Sequence, residues 1–271
     1  MTATVAPVEA FRRLHESGCF VIPNPWDLGS ARLLAGLGFR ALATTSAGFA
    51  WSQGRPDGGV SLEHYLEHLR AIVGGVEVPV NADFEGGFAV EPAQVGANVI
   101  LAVGTGIAGL SIEDSTGDAV HPLFEFGLAV ERVRAARTAI DATGKGVLLT
   151  GRSEGFLVGR PDLSETIRRL TAYAEAGADC LYAPGLRTRD EIALVVAAVA
   201  PKPVNVLVGS DFVTVNELAD LGVRRISVGG ALARAAWGSF LEAAKEIAER
   251  GTFSALTRGV PFADINSAFP H

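Results

Sequence analysis

Three short apolar runs in this chain end in groups that carry charge. Residues 78–87 read VPVNADFEGG, which puts Asp83 and Glu85 where a β-branched run breaks into glycine. Residues 109–114, GLSIED, end in Glu113 and Asp114, and residues 146–153, GVLLTGRS, carry Arg152 near their end. A β-branched run broken by Gly reads as a buried strand followed by a turn. Carboxylates there are costly in a core and useful in a site. If the strands are parallel neighbours, these groups share one rim. Carboxylates without Cys or His companions suit a hard cation such as Mg2+, which takes oxygen ligands and keeps several waters. Asp83 and Glu113 are the candidate metal ligands, with Glu85 as an outer one, and Mn2+ is the alternative ion. The planar fork of Arg152 suits a carboxylate or a developing oxyanion.

Other residues can be placed beside this rim. Ser46, Ala47 and Gly48 follow a strand, and their small side chains leave backbone N–H groups able to cradle a carboxylate. Asp57, in GRPDGG, lies in a loop flexible enough to move and is a candidate catalytic group. His121 and Glu125 lie in the loop after the fourth strand and could reach the site as acid or base. Asn205, in the seventh strand, is a candidate substrate contact. Trp26, Trp51 and Phe88 read as packing.

The elements that must position these groups alternate regularly. A first helix spans 8–17, and a first strand, 19–24, is followed by a helix capped by Asp27. A second strand, 40–46, leads into a Gly-rich loop, and Ser61 caps the next helix. From there strand and helix alternate to an eighth strand at 225–228 and a long last helix from 231, with an irregular or helical tail after Gly251. Junctions of the form helix, Gly, strand recur in AGLGFRAL, AEAGADCLY and LADLGVRRISV. Such alternation forces parallel strands with right-handed crossovers. Eight units in a chain of 271 residues predict a (β/α)8 TIM-type barrel. The expected organisation is one barrel domain over 1–271, with 231–271 as its C-terminal helical extension. The active site of such a barrel lies at the C-terminal strand ends, where Asn24, Ser46, Asp83, Glu113, Arg152, Tyr182 and Asn205 fall. No GxGxxG follows the first strand, which argues against dinucleotide binding.

Composition narrows the classes. With 48% hydrophobic and 20% charged residues the chain can bury a sizeable core. A net charge of −7 and scattered Arg residues argue against a nucleic-acid footprint. The two cysteines, Cys19 and Cys180, lie in apolar runs and read as free buried thiols. No segment is apolar and long enough to span a bilayer, and the first residues lack a basic-then-apolar leader, so a cytoplasmic protein without membrane partners is expected.

Taken in order, TTSAGFA, GRPDGG, VNADFEGG, SIEDS and TGRSE resemble the isocitrate lyase/phosphoenolpyruvate mutase superfamily over residues from about 10 to 250. The resemblance implies a barrel that binds Mg2+ and a 2-oxo acid or its enolate. It further implies a homo-oligomer, dimer or tetramer, in which a helix is exchanged between subunits. It matches Ser46, Ala47 and Gly48 to the oxo-acid cradle and Asp83 and Glu113 to metal-sphere carboxylates. Arg152 matches the substrate-binding arginine, and Asp57 the aspartate of the flexible loop. Two departures stand out. The Asp-x-Asp metal motif is read with Asn81 in its first position and Glu85 added after Asp83. The loop after the fourth strand, STGDAVHPLFEFG, has neither the Cys of the lyases nor the Lys of the lyases and mutases. The expected activity is a Mg2+-dependent lyase on a small 2-oxo or 2-hydroxy carboxylic acid, through a metal-stabilised enolate. The alternatives are a 2-oxo-acid binder without turnover, or a hydrolase or mutase of a related oxo or phosphonyl acid.

Overall fold

A computed structural model describes residues 6–269. Residues 1–5 and 270–271, which belong to the expected leaderless start and to the tail, lie outside the described residues. The elements run α1 (Pro7–Leu14), β1 (Phe20–Ile22), α2 (Leu28–Gly36), β2 (Leu42–Ala43), α3 (Ser46–Ser52), α4 (Leu62–Gly75), β3 (Val80–Ala82) and α5 (Pro92–Gly104). They continue with β4 (Gly109–Glu113), α6 (Phe126–Ala142), β5 (Leu148–Arg152), α7 (Leu163–Glu175), β6 (Cys180–Tyr182) and α8 (Arg189–Val199). The last are β7 (Val204–Leu207), α9 (Val215–Asp220), β8 (Arg225–Ser227), α10 (Ala231–Arg250), a 3-10 turn (Ser254–Arg258) and α11 (Phe262–Ser267).

All eight strands are parallel, in the order β1-β8-β7-β6-β5-β4-β3-β2. The two ends of that order meet through Ala43 N donating to Pro23 O at 3.0 Å. Asn24 adds a second stitch. Its Nδ2 donates to Thr44 O at 2.9 Å, while its Oδ1 accepts from Val228 and Gly229 N, each at 2.9 Å. The result is the expected (β/α)8 barrel, nearly closed. Asn24, read from sequence as a rim residue, spends its amide on holding β1, β2 and the turn after β8 together.

The sequence-derived caps hold. Asp27 accepts from Ser30 N at 2.6 Å, and Ser61 caps α4. The main core lies between the outward faces of the strands and the helices, with Leu69, Val99, Leu110, Ile140 and Leu149 fully buried in it. Beneath the barrel, α1 plugs the N-terminal end with Phe11 against Phe20, Ala108 and Leu148.

Two sequence expectations need correction. The strands are shorter than read, Phe20–Ile22 instead of 19–24 and Leu42–Ala43 instead of 40–46. The segment after β2 begins not as a loop but as α3, with the Thr45 hydroxyl accepting from Gly48 N at 3.3 Å. Gly48 is there for closeness. A Cβ on it would lie 2.7 Å from Thr45 Cγ2, 2.9 Å from Trp26 Cβ and 3.3 Å from Ala233 Cβ. Its small size lets α3 pack on the start of α10.

Candidate active site

At the C-terminal end of the barrel, Arg152 is the hub. Its Nη1 donates to Asp83 Oδ1 at 2.9 Å and lies 3.1 Å from Glu113 Oε2, and its Nε donates to Glu154 Oε1 at 2.5 Å. Nη2 makes no hydrogen bond with the described residues. Glu113 and Arg152 are register partners on adjacent strands, so their side chains emerge together on the inner face. The same two-residue alternation explains Asp114. It turns outward, 2% exposed, where it meets Arg169 Nη1 at 3.1 Å, Tyr173 Oη at 2.7 Å and Glu154 N at 2.7 Å. Of the adjacent pair Glu113 and Asp114, one serves the rim and the other ties β4 to α7. Glu154 was missed from sequence. Its signal was parity, two residues after Arg152 and on the same face.

Asp83 is held from several sides. Its Oδ2 accepts from Ser46 N at 3.0 Å and Ser46 Oγ at 3.1 Å. Its backbone N donates to Thr44 Oγ1 at 2.9 Å, and its carbonyl accepts from Tyr65 Oη at 2.6 Å. Thr44 and Tyr65 also bond each other at 2.8 Å, so a buried hydroxyl pair sets the end of β3. Neither was singled out from sequence, because both contacts are made across elements. Glu85 follows in a left-handed conformation, φ 46°, which costs a non-Gly residue about 1–2 kcal/mol. Its carbonyl is fixed by Glu113 N at 3.1 Å. The loop beyond it is gripped by the fully buried Arg132, whose guanidinium donates to Gly86 O, Ala89 O and Val90 O and lies over the Phe124 ring.

The charges do not balance. Asp57, Asp83, Glu85, Glu113 and Glu154 surround one guanidinium across two adjoining cavities. Burial pushes the Glu85 carboxyl up, with Asp83 and Asp57 adding to it, to about 7. Burial likewise raises Glu113 well above its ordinary range despite Arg152, and raises Asp57 together with Asp83. Burial opposes the charge on Arg152, but Glu113, Glu154 and Asp83 outweigh it and hold the guanidinium firmly protonated. Tyr182, beside Arg152, is pushed up to about 12, mainly by burial.

This all-oxygen donor set with excess negative charge fits a divalent cation. Among the described residues no three His, Cys, Asp or Glu side chains converge as direct ligands would. Mg2+ commonly keeps several waters and takes only one or two carboxylates. The position read as metal-bearing from Asn81 is corrected. Asn81 lies two residues before the rim, its Cα paired with Ala43 and Gly109, deep in the barrel. The Asp-x-Asp spacing therefore falls on Asp83 and Glu85.

Of the other sequence candidates, Ser46, Ala47, Asp57 and Asn205 line the inner cavity, which has a volume of about 170 Å3. Gly48 does not line it, and two of the three expected cradle N–H groups are already committed, that of Ser46 to Asp83 and that of Gly48 to Thr45. Asn205 is bonded to Ser227 and Arg225 inside the barrel. His121 and Glu125 are not brought to the mouth. His121 faces a separate cavity with Arg160 and Arg169, and Glu125 is the N-cap of α6, accepting from Gly127 N at 2.8 Å.

The profile of the family described as phosphoenolpyruvate phosphomutase matches residues 11–248. The chain belongs to the phosphoenolpyruvate mutase/isocitrate lyase superfamily. A crystal structure of a lyase/mutase candidate from Burkholderia cenocepacia J2315 is 50% identical, with a TM-score of 0.94, covering 96% of this chain and 95% of that one. A protein of Mycobacterium tuberculosis H37Rv, Rv1998c, of uncharacterised function, is 32% identical over 95% of both chains. An oxaloacetate decarboxylase of Bradyrhizobium sp. ORS 278 is 27% identical over 96% of this chain and 91% of its own. The structure of a phosphonopyruvate hydrolase complexed with oxalate and Mg2+ superposes with a TM-score of 0.86 at 25% identity, covering 97% of this chain and 95% of that one. The superfamily is one of enzymes, and the two relatives of named activity here are a decarboxylase of oxaloacetate and a hydrolase of phosphonopyruvate that binds oxalate.

Proposed function

We propose that this protein is a Mg2+-dependent lyase that breaks a carbon–carbon bond, by cleavage or decarboxylation, in a small 2-oxo or 2-hydroxy carboxylic acid. The observation that carries it is Arg152, pinned on Nε and Nη1 by three carboxylates with Nη2 left over, beside a cavity of about 170 Å3. The oxalate and Mg2+ in the phosphonopyruvate hydrolase structure support the same ligand class.

Asp83 and Glu113, with Glu85 as an outer ligand, would hold Mg2+, or Mn2+ in its place, and the ion would carry part of the negative charge that develops on the keto oxygen. Arg152 binds the substrate carboxylate and stabilises the same charge from the other side. Ser46 and Ala47 close the wall of the cavity next to Asp83. As the bond to C3 breaks, its electron pair moves onto C3 and the keto oxygen. Loss of CO2 needs no general base. A proton must later reach C3, and Asp57, raised by burial and by Asp83 and lining the cavity, is the group to supply it.

One observation favours a second reading, binding without turnover. The loop between β4 and α6 offers Ser115, Thr116, Gly117 and Phe124 to the mouth and no titratable group. Thermal shift with 2-oxo acids, with and without Mg2+, followed by pyruvate release, separates the two. Metal-dependent turnover abolished by Asp83→Ala supports the lyase. Binding without product from any acid supports the second reading, and no binding at all refutes both.

We further infer a homo-oligomer built on α10 and the tail, where Phe240, Leu241, Phe253, Leu256 and Phe262 are exposed on one stretch of chain. Light scattering reads it directly, and a monomer at micromolar concentration refutes it.

A further inference from the structure

Among the described residues, one guanidinium inside the barrel has no anionic partner. Arg152 has its carboxylates and Arg169 has Asp114 and Glu165, while Arg132, which also lacks an anion, lies outside the barrel on α6 and donates to three backbone carbonyls. Arg225, in β8 and only 3% exposed, meets neutral groups alone. Its Nε donates to Asn205 Oδ1 at 2.9 Å and its Nη2 to Thr150 Oγ1 at 3.0 Å, and its Nη1 lies 3.4 Å from His15 Nε2. His15 adds no charge, because burial and Arg225 hold its pKa down to about 3. A guanidinium has five N–H groups, so two remain uncommitted. Burying a cation with no anion nearby is costly.

The depth of this group matters. Thr150 precedes Arg152 by two residues on β5, so Arg225 engages the strand roughly 6–7 Å below the rim. Arg225 and Arg152 nevertheless line the same cavity, together with Ser111, Asn205 and Asn81. The cavity thus has a cation at its mouth and another at its floor, and only the upper one is neutralised by the protein.

We propose that Arg225 anchors an anion subsite at the floor of the cavity, taking a monoanionic group the size of a carboxylate or a halide. That group is either the far carboxylate of a dicarboxylic ligand or a free ion. The dicarboxylate case rests on the lyase reading. The subsite itself does not.

Bromide is the probe, because it has the charge and scatters anomalously. Wild-type crystals soaked in bromide are expected to show an anomalous peak against the Arg225 guanidinium. The peak is lost in Arg225→Gln and kept in Arg225→Lys, which retains the charge. In solution, bromide at ten times its Kd should raise the wild-type melting midpoint by about 3–6 °C over an ionic-strength control. Displacement of the peak by malate but not by pyruvate assigns the subsite to a far carboxylate, and retention with both assigns it to a free ion. No peak in the wild type, an unchanged peak in Arg225→Gln, or a peak without any midpoint shift overturns the proposal. If Arg225→Gln does not fold, the wild-type and Arg225→Lys crystals decide. Failure of the lyase reading looks different, with no oxo-acid binding while the bromide peak persists.

Discussion

Replacing Arg152 by Met removes the cation that bonds Asp83, Glu113 and Glu154 while keeping most of the side-chain volume. The side chains of Asp83, Glu113 and Glu154 are 18%, 16% and 6% exposed, so water can replace the lost partner only in part. Breaking a buried pair from one side costs about 3–5 kcal/mol. The residual exposure of Asp83 and Glu113 argues for the lower end, about 3 kcal/mol at pH 7.5. At roughly 2–4 °C per kcal/mol for a chain of this size, the midpoint should fall by about 6–12 °C. The loss should itself depend on pH. Burial already raises Glu113 and Glu154, and without the opposing Arg152 they rise further. The folded variant then holds protons that the unfolded chain has released, so its stability falls as pH rises above the ordinary Glu range. At pH 5 the deficit relative to wild type should shrink to about 1 kcal/mol, since protonation supplies what the guanidinium did. The assay is thermal melting of both proteins in chelator at pH 5, 6.5 and 7.5. A variant as stable as wild type at pH 7.5, or a deficit that grows toward pH 5, refutes the reasoning that Arg152 neutralises these carboxylates.

Three further outcomes are expected. In metal-free protein, Glu85 lowers stability progressively from its unfolded pKa of about 4.5 to its folded pKa of about 7, because only the folded state still holds the proton; Glu85→Gln should remove up to about 3 kcal/mol of that slope in melts across pH 4.5–8. Thr44→Val leaves Asp83 N without its acceptor and should cost about 1–3 kcal/mol by denaturant titration, with a weaker Mg2+ response than wild type because the end of β3 is no longer set. Gly48→Ala forces a methyl group into Thr45 and Trp26 and should destabilise by about 1–3 kcal/mol in the same titration, whereas Gly36→Ala, with open space around it, should not.

Much of this protein was legible in the order of its residues. The helix–Gly–strand junctions and strand runs imply eight parallel units, because a strand–helix–strand crossover has essentially one hand and one way to close. The rim residues Asp83, Glu113 and Arg152 were readable because a charge ending a buried strand has nowhere else to go. Caps such as Asp27 and Ser61 were readable because their hydrogen bonds are local. What sequence left open depended on direction and on distant partners. Glu113 and Asp114 look equivalent in the chain, and only the pleat of β4 sends one to the mouth and the other to Arg169. His121 and Glu125 carry suitable chemistry, yet their loop leads one to another cavity and the other to the start of α6. Gly48 looked like a cradle and proved to be a contact between helices. Nothing in GVRRISV sets Arg225 apart from Arg224, yet the barrel closes around Arg225. Sequence by itself determined the barrel and which strand ends carry charge, since both follow from local pattern and from the cost of burying ions. The tertiary structure alone decided which charges face one another and which are left unmatched, since pairing depends on side-chain direction and on residues far apart in the chain.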